Sequence, residues 1–191
     1  GIDTAISPGK ISMQQWAMLF ETNSNTQGAV LAEAIHSLRY QRKTGRNDCL
    51  TKEGQNIAII QQQLSSITKA DTDFDISLLP QQIAAESVSQ PPKGSTYIYD
   101  TFKANVNNYL VEKVTYQLGN TNFLTFFSQK QGMKDLLCEI NDFLQTPKSS
   151  LYVDASLLGA TDGIGGMIID LISNYVINQD NINPFVYFID E

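Results

Sequence analysis

Pro184-Phe185-Val186-Tyr187-Phe188-Ile189-Asp190-Glu191 is a solid apolar run that ends in two adjacent carboxylates. A strand buried on both faces reads as continuous Val, Ile and Phe, whereas a strand with one wet face alternates. The run therefore predicts an internal strand of an α/β sheet, with its acids emerging at the C-terminal end. Open α/β sheets bind their ligands at that edge. Any buried strand followed by a polar turn can finish in Asp-Glu, so the meaning of the pair depends on what precedes it.

Working backwards, Met167 to Ile177 reads as a helix, and Ser150-Leu151-Tyr152-Val153-Asp154 as a second strand that also ends in a carboxylate. Met133 to Leu144 is an amphipathic helix, and Asn122 to Ser128 is short and aromatic enough for a third strand. Strand-helix-strand-helix-strand with short connections predicts a small parallel sheet with right-handed crossovers. Were the last two strands neighbours, Asp154, Asp190 and Glu191 would gather at one edge, an arrangement that suits a divalent cation. The local alternative for Asp154 is a turn or helix cap near Ser156, and that reading comes first.

Gly159-Ala160-Thr161-Asp162-Gly163-Ile164-Gly165-Gly166 lies between a strand and a helix, where glycine-rich phosphate loops occur. It lacks the Lys and Ser/Thr of G-x-x-x-x-G-K-[ST]. The expectation is a tight turn whose small residues let the next helix approach the sheet.

Residues 1 to 119 read as a bundle of about five helices separated by polar turns. Ser12 and Gln15 form a capping box for a helix carrying Trp16, Leu19 and Phe20. Asn25 or Thr26 starts a second, with Val30, Ala34, Leu38 and Arg39 near one face, and Gly45 stops it. A third runs from about Lys52 to Thr68 with Ile57, Ile60, Leu64 and Ile67 on its buried side, and a weaker one covers Leu78 to Val88. After the break at Pro91-Pro92-Lys93-Gly94, a long helix spans about Tyr97 to Leu118. Phe102, Val106, Tyr109, Leu110, Val114 and Leu118 mark its expected buried face. The chain thus divides into a helical unit, 1–119, and a partial α/β unit, 120–191.

The net charge is −7, distributed as +2 over residues 1–69 and −9 over residues 70–191. That balance argues against a whole-surface nucleic-acid binder, which is basic overall. Arg39, Arg42, Lys43 and Arg46 form one local basic cluster, read either as a helix end complementing its dipole or as contacts to DNA phosphates. The two cysteines and single histidine are too few to complete a zinc site. His36 lies within an amphipathic helix and reads as a surface or packed residue. No signal-peptide pattern opens the chain and no apolar stretch approaches the ~18 residues of a membrane span, so the expectation is a cytoplasmic protein without membrane contact.

The order of these segments resembles the HerA-like ATPases, hexameric DNA-pumping motors related to FtsK and to the ATPases of conjugation systems. The resemblance is carried by Ile2-Asp3 with the Ile11 to Leu19 segment, by Thr26-Gln27 to Leu38-Arg39, by Ser150 to Ser156, by Ile168 to Val176, and by Asn183 to Glu191 as a Walker B strand. It implies a RecA-like P-loop core with a helical insertion, Asp190 holding Mg²⁺ and Glu191 as the catalytic glutamate. It also implies ATP and Mg²⁺ as cofactors, with double-stranded DNA and a homo-hexamer as partners, all in the intact protein. No Walker A sequence occurs in the chain, so without that cradle this chain alone is expected neither to bind ATP tightly nor to hydrolyse it. The alternative is a non-enzymatic helical module that binds a protein partner.

Overall fold

A computed structural model describes residues 3–22, 26–128, 132–159, 162–180 and 182–189. Eight α-helices among them are α1 (Met13–Leu19), α2 (Gln27–Lys43), α3 (Ile57–Ser65), α4 (Leu79–Ala85), α5 (Thr101–Leu118), α6 (Thr121–Phe126), α7 (Leu136–Gln145) and α8 (Asp162–Ile177). Side-chain caps explain where most of them start. Ser12 and Gln15 form the expected reciprocal box, and Asn56, Asp100, Asn120 and Asp135 accept from backbone amides at the heads of α3, α5, α6 and α7. Such caps are worth about 1 kcal/mol each and act across two or three residues.

Two minimal sheets accompany the helices. β1 (Thr4–Ala5) pairs in parallel with β4 (Lys134–Asp135), and β2 (Val88–Ser89) pairs antiparallel with β3 (Ile98–Tyr99) around the Pro91-Pro92 loop. The protein is helix-rich α/β with a small parallel sheet, but that sheet is not built from the expected strands. Asn122 to Ser128 is mostly helix α6, because Asn120 caps it and Phe123, Phe126 and Phe127 bury at helical spacing. Ser150–Asp154 and Phe185–Ile189 belong to no sheet among the described residues. The second of these was expected to be buried on both faces, yet all five of its residues are exposed, Phe188 to 86%.

The amphipathic readings of the longer helices need one correction. In α5, Leu110, Val114 and Leu118 are buried as expected, whereas Phe102, Tyr109 and Tyr116 are exposed to 78%, 71% and 78%. The buried face is rotated so that Asn107 and Gln117 share it, Asn107 Nδ2 donating to Ser87 Oγ at 3.0 Å. In α3 only Ile60 is buried. α3 lies at the margin of the fold rather than inside it.

One hydrophobic core runs from Ile6 to Leu171 and crosses residue 119. At its centre Trp16 stacks on Phe20, with ring centroids 5.7 Å apart, and meets Phe127 at 5.1 Å and the edge of Phe74 at 5.8 Å. α8 crosses α1 closely, and Gln15 links them by donating to Asp170 Oδ2 at 2.9 Å.

The glycine-rich segment makes that crossing possible. Gly163, Gly165 and Gly166 lie within α8, so they form no turn against a sheet. A Cβ on Gly163 would stand 2.6 Å from the carbonyl oxygen of Met18 and 2.7 Å from that of Leu19, while one on Gly165 would meet nothing. Gly163→Ala is therefore expected to destabilise by about 1–3 kcal/mol, the usual cost of overpacking. Gly165→Ala should stabilise by about 0.5–1 kcal/mol through helix propensity. Paired urea titrations decide the matter, and equal shifts for the two variants would contradict the close crossing.

Candidate functional site

The segments expected to carry the chemistry do come together, though not as strands. Asp135 caps α7 by accepting from Cys138 N at 3.0 Å, and α7 buries Leu136, Ile140 and Leu144 against the core. At its far end the carbonyl of Leu144 accepts from both the backbone N and the Nδ2 of Asn183, each at 3.0 Å. This pins the start of the C-terminal segment to α7. Phe185 then packs edge-on against Phe143, with centroids 5.8 Å apart. From there residues 185–189 and 151–156 line one cavity of about 670 Å³, floored by Ile140 of α7 and by Ile168 and Ile172 of α8.

Asp154 sits at the edge of this cavity with its carboxylate turned to its own chain. Oδ1 accepts from Ser156 N at 2.9 Å, and the hydrogen bonds from Ser156 hold the acid below the usual carboxylate range. This bond closes a local turn leading into the short 3₁₀ turn Ser156–Leu158, in keeping with the local reading of Asp154. Asp190 and Glu191, the expected metal ligand and catalytic acid, lie outside the described residues. Among the described residues no three His, Cys, Asp or Glu side chains gather as a metal site. Of the glycine-rich segment, Gly163 is packed against the α1 backbone in the α1–α8 crossing.

The basic cluster at the end of α2 is committed to the chain itself. Arg39 Nε donates to the carbonyl of Thr72 at 3.1 Å and its guanidinium lies over Phe74. Arg42 pairs with Asp73 at 3.1 Å, and Lys43 bridges Asp71 at 2.8 Å and the carbonyl of Ser66 at 2.7 Å. These bonds strap α2 to the loop at residues 66–74 through the Nε groups of Arg39 and Arg42 and the Lys43 ammonium; Arg46 is exposed beyond the strap.

Asp71 supplies a pH signature for that strap. Hydrogen bonds from the Lys43 ammonium and from Thr68 bring its carboxyl down from the ordinary 3.8 to about 2. A carboxylate depressed in the folded state contributes stability above its unfolded value and loses it as pH falls through the folded one. The Asp71 contribution is thus complete above about pH 4 and disappears toward pH 2. Urea midpoints followed from pH 5 to pH 2 should fall less steeply in Asp71→Asn than in the parent chain; identical slopes would count against the strap.

A second cavity, about 590 Å³, lies beside α2 and α3 and is lined in part by His36, Arg39, Lys52, Glu86, Tyr97 and Lys103. His36 is half-buried, and its Nε2–H donates to the carbonyl of Leu64 at 3.1 Å. It is a packed residue, as its helical setting suggested. Deeper, the Glu86 carboxylate accepts from Ser37 Oγ at 2.7 Å and Gln82 Nε2 at 2.9 Å and pairs with the Lys52 ammonium. Gln82 in turn holds both the N–H and the carbonyl of Leu50. The sequence reading missed this network, since Lys52, Gln82 and Glu86 look like ordinary surface residues.

Burial, then Asp48 and Glu86, pushes the Cys49 thiol up, and Asp135 raises that of Cys138. No helix among the described residues is long and apolar enough to cross a membrane. No protein-family model matches the chain, and neither a curated protein nor a solved structure does so.

Proposed function

We propose that this chain is an internal part of a HerA/FtsK-like P-loop ATPase, a motor that couples ATP hydrolysis to movement of double-stranded DNA as a hexamer. One observation carries the reading: two apolar segments outside the helices, joined in sequence through α8 and running into Asp154 and into Asp190-Glu191, border the same cavity against α7 and α8. Segments of that kind are suited to an α/β sheet whose other strands come from elsewhere in the polypeptide. In this reading Glu191 orients or deprotonates the attacking water and Asp190 helps hold Mg²⁺. The triphosphate cradle belongs to a P-loop that this chain does not contain.

Two measurements test the proposal. The purified chain should show no ATP turnover above a Glu191→Gln control, because the phosphate-binding lysine and amides are missing. A longer polypeptide from the same gene should carry G-x-x-x-x-G-K-[ST] upstream of Gly1 and hydrolyse ATP, and Glu191→Gln should abolish that activity. A gene lacking any such segment removes the motor reading. A second reading, a helical module that binds protein, is favoured by the aromatic residues that α5 leaves uncovered.

A further inference from the structure

We infer that α5 is a self-association surface, on which two copies of this chain pair antiparallel about a twofold axis passing beside Tyr109. The inference stands on α5 alone and holds whichever reading of the ATPase is correct.

Phe102, Tyr109 and Tyr116 recur at intervals of seven along one helix and are exposed to 78%, 71% and 78%. Seven residues are close to two helical turns, so the rings form a single stripe with about 10 Å between neighbours. Exposed single aromatics are ordinary, but three in line on one helix, separated by Asn105 and Val106 and by Glu112 and Lys113, form a row of anchors on one face. The stripe is also self-complementary. Tyr109 lies midway, so an antiparallel copy places Phe102 opposite the second copy's Tyr116 and Tyr109 opposite itself, as a twofold interface requires. The same pairing sets Lys113 against Asn105, Glu112 against Val106 and Lys103 against Thr115, so no charge faces a like charge.

The size fits the smaller end of stable dimers. At about 200 Å² per aromatic side chain the three rings offer roughly 450 Å² on each copy after their partial burial is discounted. Twofold pairing then covers roughly 900 Å² before flanking residues are added, close to the ~1,000 Å² that a specific interface needs. A single-stranded nucleic acid is the other partner that stacks on aromatic rows, but it needs cations beside the rings. Lys103 and Lys113 are the nearest, and both are turned to their own chain: Lys103 donates to the carbonyl of Val88 and Lys113 to that of Glu21. Of the remaining stripe neighbours, Asn105, Asn108 and Thr115 are neutral and Glu112 is an exposed anion, which repels a phosphate backbone.

Sedimentation equilibrium on the full chain should show a monomer–dimer equilibrium. Tyr109→Glu brings two carboxylates together at the axis and should weaken it by more than about tenfold, the scale of a hot-spot loss. Far-UV circular dichroism on the same variant should be unchanged, since Tyr109 is exposed. Register is read by disulfide trapping in a Cys49→Ser/Cys138→Ser background. Tyr109→Cys should cross-link to itself, whereas Phe102→Cys should cross-link to Tyr116→Cys and not to itself. A chain that stays monomeric at high micromolar concentration overturns the inference. So does a dimer indifferent to Tyr109→Glu, a Phe102→Cys self-cross-link, or binding of a single-stranded oligonucleotide that Tyr109→Glu abolishes.

Discussion

Glu86→Ala is expected to destabilise the protein by about 3–5 kcal/mol, the cost of leaving one member of a buried ion pair unpaired. Glu86 is 2% exposed and Lys52 5%, and Ser37 and Gln82 beside them are fully buried. Removing the carboxylate strands the Lys52 ammonium together with the Ser37 hydroxyl and one N–H of Gln82. Each of those neutral donors adds roughly 1–3 kcal/mol if it finds no substitute. The effect reaches beyond one contact, because Gln82 also holds the backbone of Leu50 and thereby the loop that leads into β-bridge contacts at Glu53 and Asn56. Replacing both charges by neutral groups of similar shape should recover most of the loss, since a buried pair gives little net stability over its isosteres. Lys52→Met combined with Glu86→Gln is therefore expected to be much milder than Glu86→Ala. Urea unfolding of both variants beside the parent chain measures the difference. A change under about 1 kcal/mol for Glu86→Ala would show that water reaches the pair.

Trp16→Ala should cost a similar amount, about 3–5 kcal/mol, through loss of apolar burial and the cavity left behind. Its ring joins three parts of the chain that are distant in sequence: Phe20 in its own helix region, Phe74 before α4 and Phe127 after α6. Truncation empties the point where they meet. Trp16→Phe should be far gentler, for a reason beyond size. The indole N–H of Trp16 is buried without a hydrogen-bond partner among the described residues, so the phenyl ring removes a desolvated donor along with part of the packing. The ratio of the two effects is the informative quantity. Near-equal losses would mean that the N–H has a partner or that the site cannot close around a smaller ring. As the only tryptophan, Trp16 reports native unfolding by its own fluorescence, and the variants require circular dichroism instead.

The two networks explain why the candidate site was only partly legible in the sequence. Asp154 was read correctly as a turn cap because its partner, Ser156, is two residues away. The basic cluster left two readings open, because the acids that bind Arg42 and Lys43 come from residues 71 and 73, some thirty positions along the chain. The glycine-rich segment was read as a tight turn against a sheet, and its glycines instead lie in α8. Its actual task could not be seen, because the obstacle that demands glycine is the backbone of α1. Phe185 to Ile189 shows the limit of composition. Its composition suits a fully buried strand, yet a strand exists only where a neighbour supplies the ladder, and the described residues supply none.

By itself, then, the sequence showed that α1 begins at its Ser12 capping box and that helices dominate the first 119 residues, while the equally local caps at Asn56, Asp100, Asn120 and Asp135 went unread. Those features depend on hydrogen bonds spanning two or three positions, which the order of residues specifies directly. The tertiary structure decided which faces are covered. It rotated α5 so that Asn107 and Gln117 are buried and three aromatics are not, placed Lys52 and Glu86 inside, and set α8 against α1 through Gly163. Burial is a property of neighbours brought from far along the chain, and periodicity names an apolar face without naming what will cover it.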